Sequence, residues 1–153
     1  MKIAEGVTRY SSKHTPSNLK TEHQHTLAAE LAAWRKILKQ VGVIGRDPNR
    51  YDGAGFGNLS GRLPPMSARR GHRSFLITGT QTGHNECMSH REFSIVQSYD
   101  WRLNQVRSRG PSRPSSEAMT HGAIYDLGCH IRFVFHVHSP DIWSNHKALR
   151  LPC

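Results

Sequence analysis

The side chains best suited to metal chemistry in this chain are His136 and His138, within Phe135-His136-Val137-His138-Ser139-Pro140. The apolar run Ile131-Arg132-Phe133-Val134 precedes them. Read as a β-strand, the segment alternates its side chains between two faces. Ile131, Phe133, Phe135 and Val137 then form a core stripe, and both imidazoles fall on the opposite face at the strand's C-terminal end. Two neighbouring imidazoles there can share one metal ion. The same pattern also describes two surface histidines on an edge strand, because His-x-His alone is a weak signature. Ser139-Pro140-Asp141 predicts a helix start directly after them, with an N-cap Ser, Pro at the first helical position and an acid in the first turn.

Three short segments have the chemistry of anion binders. Gly57-Asn58 precedes a strand, Thr78-Gly79 ends one, and Ser115-Ser116 opens a helix. Each combines free backbone N–H groups with a side-chain hydroxyl or amide, and a helix N-terminus favours an anion. Each also has a simpler role: glycine for a turn, serine for a cap, threonine for a strand end. Glu117 follows the two serines. It reads either as a first-turn acid that complements the helix dipole or as a general acid/base or metal ligand. His121, one turn on, reads as an extra ligand or as a packed, hydrogen-bonded histidine, and Tyr125 on the same face reads as core.

These residues need elements to hold them. Residues 1–20 are polar and read as an N-terminal arm; residues 21–153 read as one domain. From Thr21 a helix is predicted, with Leu27, Leu31, Trp34, Leu38 and Val41 as its apolar stripe and Gly42 and Gly45 as its stop. Leu59 to Leu63 and Ser74 to Thr78 read as strands. Phe93 to Tyr99 and Gln105 to Arg107 read as a hairpin. A helix capped by Ser115 or Ser116 runs to about Leu127, followed by the His-x-His strand and a last helix from Pro140. This order predicts one layered α/β domain.

Composition limits the function classes. The chain has 153 residues, suited to one core, and 36% hydrophobic residues with 13 glycines, which is not a disordered composition. The formal charge of +10 comes from scattered Lys and Arg. No long basic helix and no basic stretch with interleaved aromatics accompanies it, so charge alone supports nucleic acid as a partner, and none is expected. The three cysteines form no Cys-x-x-Cys pair, which fits a reducing compartment. Without a signal-peptide core or a membrane-length apolar run, a soluble cytoplasmic protein with no membrane partner is expected.

Four blocks occur in order: Gly57-Asn58-Leu59-Ser60-Gly61-Arg62, Ile77-Thr78-Gly79, Arg113-Pro114-Ser115-Ser116-Glu117-Ala118-Met119-Thr120-His121, and His136-Val137-His138-Ser139-Pro140. From about Leu27 to the end, the sequence resembles the class II aldolase/adducin family, which includes L-fuculose-phosphate aldolase and L-ribulose-5-phosphate 4-epimerase. The resemblance implies a three-layer α/β/α fold with a central, mainly antiparallel sheet. It implies Zn2+ or another divalent metal held by His136 and His138. Glu117 would be the catalytic acid/base and could also ligate the resting metal. Asn58, Thr78, Gly79, Ser115 and Ser116 would cradle a substrate phosphate. The implied chemistry is Lewis-acid catalysis on a small sugar phosphate or other hydroxy-carbonyl compound, through a metal-stabilised enediolate. Homotetramers with sites near subunit boundaries are also implied. The family's third ligating histidine lies downstream of His-x-His, so the fold is expected to be incomplete at its C-terminus and no substantial turnover is expected of this chain. The competing implication is a non-catalytic adducin-like interaction domain.

Overall fold

The structure is a computed structural model that describes residues 10–151. Its centre is a six-stranded mixed sheet in the order β1-β7-β6-β5-β4-β8. The strands are β1 (Ser11–Pro16), β4 (Asn58–Arg62), β5 (Phe75–Thr78), β6 (Phe93–Asp100), β7 (Gln105–Gly110) and β8 (Phe133–His136). A two-stranded ribbon, β2 (Gly45–Arg46) with β3 (Gly55–Phe56), stands apart from the sheet. The helices are α1 (Glu22–Gln40), α2 (Ala118–Tyr125) and α3 (Pro140–Ser144). The β1–β7 pair is parallel, whereas the β7–β6, β6–β5, β5–β4 and β4–β8 pairs are antiparallel.

Period-two alternation sends neighbouring strand residues to different cores. Leu59, Leu76 and Ile95 pack with Leu27, Ala28 and Leu31 of α1. Phe75, Ile77, Val96 and Val106 pack with Ala118 and Tyr125 of α2. The fold is therefore α/β, with a sheet buried on both faces. Gly61 allows α1 to approach closely: a Cβ there would stand 2.7 Å from Leu27 Cδ1. The helix predicted from Thr21 is present as α1, and Thr21 caps it, its side chain accepting from Gln24 N. Ser139 does the same for α3 through Ile142 N.

Four sequence expectations need correction. Of the stretch read as an arm, residues 11–16 form β1, and residues 1–9 lie outside the described residues. The sequence Ser-Ser-Lys-His-Thr-Pro has no apolar stripe because this edge strand is mostly solvated and is held by backbone pairing with β7. On α1 the buried line runs through Gln24, Leu27, Ala28, Leu31 and Arg35. Trp34 and Val41 are left exposed, because the buried stripe advances to Arg35 where the sequence reading advances to Trp34. On β8 the buried residue is Val134, while Phe133 is 49% exposed and Val137 is also exposed. β8 is an edge strand, and its Phe133/Phe135 face is only partly covered, Phe135 packing against the α1 core with Trp34 5.9 Å away. Finally, α2 begins at Ala118 with Glu117 in the cap position; the Ser115 hydroxyl accepts from Glu117 N instead of capping the helix at the expected place.

Candidate active site

One end of the sheet gathers the chemistry. Antiparallel pairing puts the start of β4 beside the ends of β5 and β8, so that Asn58 stands opposite His136 and Ser60 opposite Ile77. A bridge between Gly79 and Pro114 brings in the segment leading to α2. Here a cavity of about 420 Å3 is lined by Asn58, Gly79, Ser115, Ser116, Glu117 and His136, among others. Four separate parts of the chain supply those six residues.

Two of the predicted site residues lie elsewhere. Thr78 does not line this cavity; its side chain is buried, and its Oγ1 accepts from Leu59 N at 3.3 Å. That is the work of a strand-joining hydroxyl. His138 lines a neighbouring cavity of about 950 Å3 between the ribbon side and α3, together with Tyr51, Trp143 and Leu151. His136 lines both cavities and so forms part of the wall between them.

The two imidazoles nevertheless meet. His136 Nε2 and His138 Nε2 are 3.1 Å apart. Two nitrogens bound to a tetrahedral zinc at about 2.05 Å would be about 3.3 Å apart, so the pair suits adjacent coordination positions. The donor set beyond the pair is incomplete. Among the described residues no group of three or more His, Cys, Asp or Glu side chains is gathered to hold a metal. The Glu117 carboxylate instead accepts from Thr120 Oγ1 at 3.0 Å. His146, just beyond α3, lines the 950 Å3 cavity with His138 but donates through Nδ1 to the Trp143 carbonyl.

Several supports of the site were not evident from the sequence. The Tyr51 hydroxyl is 2.7 Å from His138 Nδ1, and the His138 N–H donates to the Val43 carbonyl. Tyr51 and Asp52 hold left-handed backbone (φ 51 and 54) in the tight turn before β3, a conformation costing roughly 1–3 kcal/mol per non-glycine residue. Arg46, Gln81 and His84 also line the 420 Å3 cavity, adding two basic side chains to it. The loop carrying Gln81 and His84 is held from behind by Arg35, which is 2% exposed and donates to the carbonyls of Asn85 (2.9 Å) and Thr82 (2.7 Å). Gly83 meets the ribbon so closely that a Cβ would stand 2.5 Å from the Gly45 carbonyl oxygen. Tyr10 donates to the Ser115 carbonyl at 2.7 Å, fixing the serine pair from the other face. Isolated polar residues in loops and on helix flanks give no periodic signal, so only their partners reveal them.

Behind the cavity lies His121, 1% exposed. It is the packed, hydrogen-bonded histidine of the two sequence readings. Its Nε2 is 2.5 Å from Asn58 Oδ1 and its Nδ1 2.6 Å from Ser60 Oγ. Burial, then the nearby His136, lowers its pKa to about 3, so it is neutral at pH 7. Burial, followed by His136 and Arg50, lowers His138 to about 4 against a smaller opposing effect of Glu117. Neutral imidazoles are the form that can ligate a metal.

No curated protein and no solved structure matches the chain. The Class II Aldolase and Adducin N-terminal domain matches residues 47–147, a span that includes β3, β4, the cavity loops, α2 and the histidine pair. The chain therefore belongs to the class II aldolase and adducin family.

Proposed function

We propose that the protein is a metal-dependent aldolase- or epimerase-type enzyme acting on a small sugar phosphate or related hydroxy-carbonyl compound. The observation that carries this reading is the convergence of Asn58, Gly79, Ser115, Ser116 and Glu117 on one cavity with His136, whose Nε2 lies 3.1 Å from that of His138. Members of the family generally use a divalent metal and bind small molecules as oligomers. In this chain His136 and His138 would hold the ion, with Glu117 able to turn from Thr120 toward it. When bound, the ion would supply Lewis-acid polarisation of a substrate carbonyl.

The chain's own groups do the rest. Ser115, Ser116 and Asn58 offer hydroxyl and amide donors, and Gly79 offers close backbone approach, a combination suited to phosphate oxygens. Arg46 and His84 add basic character at the cavity wall. Glu117, at the helix cap beside them, takes and returns the substrate proton. The same reading takes the two packed faces of the sheet as a three-layer α/β/α fold. It also takes the protein as a cytoplasmic homo-oligomer, consistent with the free, exposed thiols of Cys87 and Cys129.

The test is proton exchange into dihydroxyacetone phosphate in D2O with added Zn2+, followed by NMR. Exchange that requires both metal and Glu117 supports the reading. Absence of both exchange and phosphate binding overturns it. The absence of a gathered third donor among the described residues favours one second reading, a non-catalytic adducin-like interaction domain. Zinc binding to the histidine pair would count against it.

A further inference from the structure

A single chain of side-chain hydrogen bonds runs from the buried core of α2 to the ribbon side of the site. Tyr125 and Ser60 are 2.7 Å apart, and Ser60 and His121 2.6 Å. His121 reaches Asn58 at 2.5 Å, and Asn58 Nδ2 reaches His136 Nδ1 at 3.3 Å. His136 and His138 follow at 3.1 Å, and His138 and Tyr51 at 2.7 Å. Tyr125 and His121 are completely or almost completely buried, as is Ser60.

The Asn58 amide gives this chain a direction. Its Oδ1 can only accept, so His121 Nε2–H donates to it; its Nδ2 can only donate, so His136 Nδ1 accepts. A neutral His121 then accepts at Nδ1 from Ser60. A neutral His136 carries its proton on Nε2 and donates it to His138 Nε2, leaving His138 Nδ1–H to donate to Tyr51. Every link is satisfied, but the proton on His136 Nε2 occupies the atom that would face a metal.

We propose that His121 is a positioning residue for the metal centre, and that metal uptake at His136 reverses this relay. The proposal rests on the metal reading above. Ligation through His136 Nε2 requires the ring proton on Nδ1. Nδ1–H needs an acceptor, so the Asn58 amide turns its Oδ1 toward His136. Its Nδ2 then faces His121 Nε2, which must accept, so the His121 proton moves to Nδ1 and is donated to Ser60. The Ser60 and Tyr125 hydroxyls, which can each donate or accept, complete the change by rotation. The ring protons are conserved: His121 and His136 each exchange one nitrogen for the other, His138 keeps its proton on Nδ1, and no charge is created in the core. A phenylalanine at 121 could neither orient the amide nor accept from it.

The experiment is long-range 1H–15N NMR of the imidazoles in the full chain, without and with Zn2+. Metal-free protein is expected to show His121 protonated at Nε2, and zinc-saturated protein to show it protonated at Nδ1. Zinc-induced change at His136 with an unmoved His121 tautomer overturns the relay alone. No zinc-induced change at His136 or His138 overturns the metal reading and the relay with it. In a second measurement, His121→Phe should weaken zinc binding by about 10–100-fold, the range for loss of a partner behind a ligand, and His121→Gln, which keeps a donor and an acceptor, should restore part of it. An unchanged zinc affinity in His121→Phe overturns the proposal.

Discussion

At the scale of single residues, Glu117 and His121 have opposite surroundings and invite different tests. Glu117 faces the cavity and is bonded only to neighbours on its own helix turn. Glu117→Gln should therefore leave phosphate binding intact while slowing proton exchange by about 100- to 10,000-fold, the usual contribution of a positioned acid/base; exchange kinetics beside a phosphate titration check this. His121 is sealed in the core, and its pKa is lowered to about 3 by burial. The unfolded chain protonates this histidine near pH 6.5 and the folded chain does not. Between those values the unfolded state binds more protons, so stability is fully present above about pH 6.5 and falls as pH drops toward 3, with a limiting slope of about 1.4 kcal/mol per unit. Denaturant melts at pH 7 and pH 4.5 should show a smaller difference for His121→Phe than for the unaltered protein.

At the scale of elements, the site depends on supports outside its motifs. Arg35 reaches from α1 to the carbonyls of Thr82 and Asn85, so α1 clamps the loop that carries Gln81 and His84 into the cavity. Hydrogen bonds from a charged donor are worth about 1.5–3 kcal/mol. Arg35→Ala should cost about 2–3 kcal/mol in a urea melt and weaken phosphate binding through the freed loop. Tyr10, just before β1, holds the Ser115 carbonyl. Tyr10→Phe keeps the ring in the core and removes that bond, for a cost of about 1 kcal/mol. A larger effect on phosphate affinity than on stability would show that Tyr10 serves mainly to place the serine pair.

At the scale of the whole molecule, an apolar surface runs from α1 onto the β8 edge. Trp34 is 51% exposed and contacts Phe135, which contacts the 49% exposed Phe133. An edge strand with uncovered aromatics beside it favours association. The protein should self-associate with increasing concentration, and Phe133→Glu should shift it toward monomer in light scattering coupled to size exclusion. Among the described residues no helix is long and apolar enough to cross a membrane.

Short-range patterns in the sequence determined the parts that depend only on neighbours: the start of α1 and the cap of α3, the β6–β7 hairpin, and the family blocks around Asn58, Glu117 and His136. Helical and strand periods act within a few residues, and motif residues are adjacent, so both are visible in the linear chain. Only the tertiary structure decided what lies across the sheet. Ser11–Pro16 is polar yet becomes an edge strand, because its stability comes from backbone pairing with β7. Trp34 and Phe133 are apolar yet exposed, because among the described residues β8 has no neighbour beyond it in the sheet. The path Tyr125–Ser60–His121–Asn58–His136 joins residues from three separate stretches of the chain. A hydrogen bond needs its two atoms within about 3 Å and aligned, and only the packing of α2 against β4 and β8 brings these atoms that close.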